Sequence, residues 1–323
     1  ASIDERDLVP IRQRVVSLTV DDAGLVSLAV TNGDYNQEAP RLSLVFSHSD
    51  QETTSIELNN TGGDNSMSIL KLNPNDHLNP LAWLSSFRDS NITNWQEDAM
   101  FLANLNDQDK TMLVAGGFAS DFEAGDSPPL LMSSNNGSYD SFLIAADGRL
   151  NPKHGRSDGA TTIDETTAAF TTHGESTAYQ LISHMHKDGW AALPGQHIDF
   201  GQGVSCQTDE RHSHCLVRWR WSASEAKLEP VWARAIAATG LVEHVGTLDG
   251  DGQMTQLKSV LNKGRGHTAL TTNHRGSVLM AANFQGKLLS PFHHEQIVSA
   301  DDNSPEATSL SNPSDESDIY VLC

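Results

Sequence analysis

Residues 15–34, VVSLTVDDAGLVSLAVTNGD, contain two strand-like apolar runs on either side of a polar turn at 21–24. The same order of strand, polar turn and strand returns three times along the chain. The later copies read MFLANLNDQDKTMLVAGGFASDF from Met100, AAFTTHGESTAYQLISHMHKDG from Ala168 and TALTTNHRGSVLMAANFQGKL from Thr268. Such self-similarity indicates one repeated supersecondary unit, and short strands between turn residues indicate an all-β fold.

Each copy closes, after a variable polar middle, with a further strand-like segment. These segments read SMSILKLNPNDHLNPLAWLSSF, YDSFLIAADGRLN, HCLVRWRWSASEAKLEPVWARAI and SDIYVLC. Helical periodicity is nearly absent, and the best helix candidate, 254–261, is barely two turns long. We therefore predict a single domain over 1–323 with about four irregular repeats of antiparallel strands, approximately 15–87, 99–151, 167–237 and 267–323.

Two blocks of sequence carry a resemblance to a known family. The second copy contains VAGGF, DF and GSYDSFLIAADG in that order, and the third contains LEPVWARAI. These blocks resemble the bacterial β-propeller repeat (SBBP-like) proteins, whose units read roughly as a G-x-F turn, D-F-G and D-x-F-V-x-K-L-D-x-x-G-x-x-x-W-A. The resemblance implies a β-propeller-like fold, in which sheets stand radially around a channel and rim loops carry the function.

The chain departs from this repeat pattern in three copies. The first and fourth copies lack D-F-G, the second has no tryptophan after Leu150, and the fourth stops at Cys323. A strand from Leu8–Arg14 at the N-terminal end would fill the place that the last copy leaves empty and close a ring without a free edge. A fragment of a larger ring is the alternative. Tryptophans such as Trp219, Trp221 and Trp232 are expected to pack between the repeats.

The charge balance limits the partners. Lys and Arg total 21 against 42 Asp and Glu, which gives a formal net charge of −21. Such a chain repels the phosphates of nucleic acids, so we exclude nucleic-acid binding. No apolar run approaches the roughly 18 residues of a membrane span, and we predict no transmembrane segment.

The cysteines indicate the compartment. Cys206 and Cys215 flank a short polar loop between apolar stretches, a spacing that fits a hairpin disulfide. A disulfide predicts an oxidising compartment, so we expect a secreted, periplasmic or cell-surface protein. Two free thiols in a reduced cytosol are the alternative. Cys323, the third cysteine, has no predicted disulfide partner.

Histidines form the most suggestive cluster for a metal. His184 and His186 are two residues apart on a predicted strand and therefore share a face, and His212 and His214 belong to the same repeat. Paired imidazoles chelate Zn²⁺ or Cu²⁺ when a third ligand is near. A chance spacing among 14 histidines is the alternative.

One acidic turn resembles the opening of a calcium loop. Asp249 and Asp251 alternate with glycines, as carboxylates do around Ca²⁺, but the glutamate that closes such a loop is missing. A plain Asp-Gly turn is the simpler interpretation. We therefore expect no cofactor, with Ca²⁺ or a transition metal as the alternatives.

No catalytic motif directs the chain towards an enzyme class. A G-x-S-x-G elbow and a phosphate-binding G-x-x-x-x-G-K-[ST] loop are both absent from the sequence. We expect an extracytoplasmic binding or structural module that recognises a protein or glycan partner through its rim loops. The alternative is a propeller hydrolase or lyase acting on polysaccharide, with carboxylates and His184, His186, His197, His212 and His214 converging in one pocket.

Overall fold

The protein is all-β in the part of the chain that the structure describes. This structure is a computed structural model, and it describes residues 12–33, 41–47, 53–59, 66–76, 81–89, 100–119, 121–125, 128–134, 139–158, 163–186, 197–206, 212–239, 269–284, 286–289, 309–312 and 318–322. Every ladder in these ranges is antiparallel, and no helix occurs in them, so none could cross a membrane. The prediction of an all-β fold is confirmed.

The strands follow one another through short turns and longer connections. The first group comprises β1 (Arg12–Val20), β2 (Val26–Gly33), β3 (Arg41–Ser47), β4 (Thr53–Asn59), β5 (Ser66–Leu72) and β6 (Leu81–Asp89). The second comprises β7 (Phe101–Asn104), β8 (Met112–Ala119), β9 (Asp121–Ala124), β10 (Leu130–Ser133), β11 (Tyr139–Ala146) and β12 (Pro152–Asp158). The third comprises β13 (Ile163–His173), β14 (Thr177–His186), β15 (Ile198–Asp199), β16 (Ser205–Cys206), β17 (His212–Ser222) and β18 (Lys227–Thr239). The last comprises β19 (Ala269–Thr272), β20 (Val278–Phe284), β21 (Gly286–Leu289), β22 (Ser309–Asn312) and β23 (Asp318–Leu322).

These strands build four main sheets in chain order. Sheet 1 has the order β1-β2-β5-β6-β9-β10, and sheet 2 has the order β12-β11-β8-β7. Sheet 3 has the order β13-β14-β17-β18-β21-β22, and sheet 4 has the order β19-β20-β23. Two hairpins, β3–β4 and β15–β16, form separate two-stranded sheets. Each main sheet therefore contains the long strands of one group. In the sequence of each group, a short hairpin is inserted between the second and the third long strands.

Asp and Asn side chains organise the tight turns. The Asp21 carboxylate accepts hydrogen bonds from the amides of Ala23 and Leu25 at 3.0 and 2.9 Å. Asn273 accepts in the same way from the amides of Arg275 and Ser277. The fourth turn residue then adopts a positive φ, as Gly24 does at 78°. This pattern is a type I turn followed by a left-handed residue, which suits a short hairpin connection.

The sheets pack face to face in the order of the chain. Ile69 of sheet 1 is buried in one cluster with Val114 and Ile144 of sheet 2. The opposite face of sheet 2 packs on sheet 3, and there Leu143 shares a cluster with Trp219. A third cluster joins sheet 3 to sheet 4 and comprises Ala168, Ala169, Tyr179, Leu181, Leu216, Ile236 and Met280. Because strand side chains alternate between faces, each middle sheet presents an apolar face to both neighbours.

The tryptophans of sheet 3 take part in this packing, as predicted. Trp219 is fully buried between sheets 2 and 3, and Trp221 belongs to the same cluster. Trp232 packs on the other side against the cluster that joins sheets 3 and 4, with its ring 6.2 Å from that of Tyr179. Large rings therefore lie on both faces of this sheet.

A buried polar network crosses the interface between sheets 2 and 3. The indole Nε1 of Trp219 donates to Gln180 Oε1 at 3.0 Å, and Gln180 Nε2 donates to Thr167 Oγ1 at 2.8 Å. Thr167 Oγ1 in turn donates to the Gly116 carbonyl at 2.9 Å. Because each buried polar atom of this network has a partner, the network orients the two sheets without a desolvation penalty.

The disulfide prediction is confirmed, and the ring closure is not seen. Cys206 at the end of β16 is bonded to Cys215 in β17, and both are buried. Arg12–Arg14 pair with Thr31–Gly33 inside sheet 1, and residues 8–11 lie outside the described ranges. No closed ring of sheets is present within the described part of the chain.

Sheets 2 and 3 approach each other closely at Gly117. A Cβ atom built on Gly117 would lie 2.6 Å from Thr166 Oγ1 and 3.1 Å from Thr166 Cβ. These distances are below van der Waals contact, and Thr166 is buried, so it has little room to move.

We predict that Gly117→Ala lowers the free energy of unfolding by about 1–3 kcal/mol, because the added methyl overpacks this interface. Gly148→Ala is the matched control, since its Cβ would meet atoms only at 3.5 Å or beyond. Urea unfolding of both variants measures the difference. Equal stability of the two variants would contradict the close packing of these sheets.

Candidate functional site

Hydrogen bonds join the first strands of the four sheets near their ends. Asn104 Nδ2 of β7 donates to Thr19 Oγ1 of β1 at 3.2 Å. Thr172 Oγ1 of β13 donates to the Asn104 carbonyl at 2.8 Å, and Thr272 Oγ1 of β19 donates to the Thr172 carbonyl at 3.2 Å. We call these four residues the polar collar. They hold β1, β7, β13 and β19 side by side.

The turns that follow these strands lie next to one another. The Asn106 amide donates to the Gly174 carbonyl at 3.0 Å, which joins the turns after β7 and β13. The Tyr179 hydroxyl donates to the Gly276 carbonyl at 3.2 Å, which ties sheet 3 to the turn after β19. We call the turns at 21–24, 106–110, 173–176 and 273–276 the turn rim.

A cavity of about 350 Å³ opens beside the collar at this rim. It is lined by the ends of β1, β7 and β13 and by the turns after β1 and β7. The lining comprises Thr19, Val20, Asp21, Asp22, Leu102, Ala103, Asn104, Leu105, Asn106, Asp107, Lys110, Phe170, Thr171 and Thr172. Because three sheets contribute, the cavity exists only when the sheets are assembled.

A buried ion pair supports one wall of the cavity. Lys71 Nζ lies 2.9 Å from the Asp21 carboxylate, with both side chains less than a tenth exposed. Lys71 also donates to the Gly148 carbonyl at 3.3 Å, which connects sheet 1 to the turn between β11 and β12. Burial opposes ionisation of Asp21, but hydrogen bonds from Lys71, Leu25 and Ala23 outweigh it and hold the Asp21 pKa below its ordinary value. This carboxylate is therefore committed to structure.

We predict that Lys71→Met lowers the free energy of unfolding by about 3 kcal/mol, because it leaves the buried Asp21 carboxylate without its ion-pair partner. The double variant Lys71→Met/Asp21→Asn should recover much of that loss, since asparagine caps the equivalent turn at 273.

The wild type should lose the stabilisation by this ion pair as the pH falls below 3.8, the ordinary pKa of an aspartate, because the folded-state pKa of Asp21 is depressed. Strictly additive losses in urea unfolding would contradict the ion pair.

The other polar residues that line the cavity differ in their exposure. Asp107 uses Oδ1 to accept the Thr111 amide at 2.7 Å, while its buried Oδ2 makes no hydrogen bond in the described structure. Asp22, Asn106 and Lys110 also line the cavity, and all three are exposed. Phe170 adds an apolar wall. Carboxylates and amides beside an aromatic ring suit a hydroxyl-rich ligand with an apolar face.

The histidines proposed as metal ligands lie elsewhere, on β14 and β17. The register places His184 opposite Ser213, His212 opposite Met185 and His214 opposite Ser183. The side chains at 184, 186 and 212 lie outside the described part, and the metal site stays a prediction.

The other predicted site residues are also apart from the cavity. His197 is exposed before β15 and does not line the cavity. Asp249 and Asp251 lie outside the described residues. Within the described side chains, no group of three His, Cys, Asp or Glu residues is arranged to hold a metal ion.

His214 is the one histidine of the predicted metal set with a described environment. Burial lowers its pKa from 6.5 to about 4, because the imidazolium ion would lose hydration inside the sheet. The folded protein therefore holds this ring neutral at pH values where the unfolded chain protonates it.

We predict that stability falls as the pH drops from 6.5 towards 4, and that His214 accounts for up to about 3 kcal/mol of the loss. Above 6.5 the ring is neutral in both states and contributes no pH dependence. His214→Gln should flatten the curve across this window, as measured by urea unfolding at successive pH values. An unchanged slope in His214→Gln would contradict a neutral ring in the folded protein.

Sequence motifs did not identify the cavity residues, because no single motif contains them. A signal was present, since a threonine lies within two residues of the first turn in the first, third and fourth copies, at Thr19, Thr172 and Thr272. Only the packed sheets bring these positions together. Comparisons with known proteins find no matching family model, no matching curated protein and no matching solved structure.

Proposed function

We propose that this protein is an extracytoplasmic, propeller-like binding module that recognises a glycan through the cavity at the turn rim. The observation that carries the proposal is the cavity itself, in which three sheets converge on a space lined with carboxylate, amide and hydroxyl groups around Phe170. A protein partner that contacts the same rim is the alternative occupant.

The arrangement of the sheets supports a propeller-like architecture. Sheets 1 to 4 stack by their faces in chain order, and the polar collar joins their first strands. In propellers the first strand of each blade lies nearest the axis, and ligands bind where the connecting loops surround the channel. The cavity supports this architecture, because the first strands of three sheets, β1, β7 and β13, line it together.

The disulfide supports a location outside the cytoplasm. Cys206 and Cys215 are both buried and bonded, which fits proteins that fold under oxidising conditions. The net charge of −21 also suits a soluble, displayed module rather than one that binds anionic surfaces.

The charges in the cavity favour binding over glycoside cleavage. Cleavage needs one carboxyl group that stays protonated near neutral pH, beside a second that is ionised. Asp21 does not meet the first requirement, because Lys71 and two backbone amides hold its pKa low. Asp107 already caps its turn through Oδ1. The exposed Asp22 carboxylate is the acceptor that orients a sugar hydroxyl.

The same carboxylates select the class of glycan. Asp22 and Asp107 present negative charge, and Lys110 is the only cation in the described lining. Sugars that carry carboxylate or sulfate groups are therefore repelled. We expect neutral or amino sugars to bind and acidic sugars to bind weakly or not at all.

The test is a panel of immobilised neutral, amino and acidic oligosaccharides, followed by calorimetry on any that bind. Asp22→Ala should weaken binding about tenfold or more, since a charged hydrogen bond contributes about 1.5–3 kcal/mol. Asp109→Ala is the matched control, because it removes the same charge from an exposed residue that does not line the cavity. Binding to no glycan, or equal effects of the two variants, would reject the proposal.

A further inference from the structure

The second turn of the rim holds a lysine at a position that favours glycine. Lys110, the last residue of this turn, has a φ of 52°, which is in the left-handed region. Gly24 and Gly276 occupy the same place in the first and fourth turns, with φ values of 78° and 80°. A residue with a Cβ atom incurs a steric penalty in this conformation that glycine avoids. Lysine at 110 therefore destabilises the turn relative to glycine.

Other left-handed residues compensate for this penalty with contacts inside the protein. Leu150 is buried in the cluster between sheets 1 and 2, and Ala226 packs against the cluster between sheets 2 and 3. Gln202 donates from its side chain to Glu229 Oε1 at 3.4 Å. Lys110 is exposed, so burial of its side chain does not offset the penalty.

Lys110 differs from these three residues in its location, because it alone of the four lines the cavity. Strained backbone conformations concentrate at binding sites, where function retains them. An ammonium group donates hydrogen bonds and accepts none, and Lys110 is the only cation in the described lining. The residue is therefore placed to donate to an oxygen atom of a ligand.

The cavity needs such a donor, because several other donors of its lining are committed within the fold. Three backbone amides and one side-chain amide donate to other residues of the protein, namely those of Leu102, Leu105 and Asn106 and the side chain of Asn104. The exposed Asp22 carboxylate accepts hydrogen bonds but cannot donate them. A sugar that donates one hydroxyl to Asp22 presents further oxygen atoms, and Lys110 supplies a charged donor for one of them.

We propose that Lys110 is the residue that discriminates neutral from cationic sugars at this cavity, an inference that rests on the proposed glycan-binding function. Its ammonium group donates a hydrogen bond to a hydroxyl or carbonyl oxygen of a neutral sugar. The same charge opposes the binding of a protonated amino sugar, which the carboxylates of Asp22 and Asp107 attract. Lysine at 110 therefore provides selectivity at a cost to the stability of the turn.

The first experiment measures, by calorimetry, the affinities of the wild type, Lys110→Met and Lys110→Arg for matched pairs of sugars. The pairs are oligomers of glucose, galactose and mannose, each with its analogue carrying amines in place of hydroxyls, at a pH where the amines are protonated. We expect Lys110→Met to weaken binding of the neutral sugar about tenfold or more, and to leave binding of the amino sugar unchanged or stronger. Lys110→Arg keeps the charge and should keep the wild-type ratio of the two affinities.

This ratio separates the inference from the proposed function. Equal weakening of both sugars in Lys110→Met, or no weakening of either, would overturn the selective role of Lys110. A wild type that binds amino sugars and no neutral sugar would overturn it too, although the cavity would remain a glycan site. A wild type that binds no sugar would reject the proposed function and this inference with it.

Urea unfolding without ligand tests the cost of the left-handed lysine. Lys110→Gly should raise the midpoint of unfolding by about 0.3 M, because glycine adopts this φ without the steric penalty. Gln202→Gly is the matched control, since Gln202 is exposed, has a φ of 54° and does not line the cavity. It should also raise the midpoint, and it should bind sugars as the wild type does. A Lys110→Gly variant no more stable than the wild type would contradict the argument that ligand binding retains the lysine.

Discussion

Face-to-face packing of apolar sheets is the constraint on which the rest of this structure depends. A strand places alternate residues on opposite faces, and the middle sheets are apolar on both, so each must be covered twice. Leu143 of sheet 2 packs towards sheet 3, while its neighbour Ile144 packs towards sheet 1. The sheets therefore stack in series, and their first strands come close enough to form the polar collar.

The collar and the turn rim follow from that stacking. Once the first strands lie side by side, Asn104 reaches Thr19 and Thr172 reaches Asn104. The cavity is the space that remains where these strands end in turns. Lys71 connects the turn at Asp21 to sheet 2, so the wall of the cavity depends on contacts between sheets rather than on one loop.

The inserted hairpins add a second kind of connection. Met132 of β10 is buried in the core between sheets 1 and 2, although its strand extends sheet 1 and its sequence belongs to the second group. Because hairpin β9–β10 extends sheet 1 and hairpin β21–β22 extends sheet 3, neighbouring sheets are joined by backbone hydrogen bonds as well as by side-chain packing. At hairpin β15–β16, the hydrogen bond from Arg156 of sheet 2 to the Phe200 carbonyl takes the place of such a ladder, and the disulfide between Cys206 and Cys215 fastens the hairpin to sheet 3.

The amino-acid sequence by itself indicated the strands, the turns and the disulfide. Alternating apolar residues and Asp or Asn turns determined the antiparallel strands, and the spacing of Cys206 and Cys215 determined their disulfide, because these features depend on neighbours in the chain. The repeat boundaries and the family resemblance stay predictions. Only the tertiary structure decided where the hairpins pair and that Thr19, Asn104 and Thr172 meet. These outcomes depend on register and packing between distant segments, in which a shift of one residue exchanges the faces of a strand.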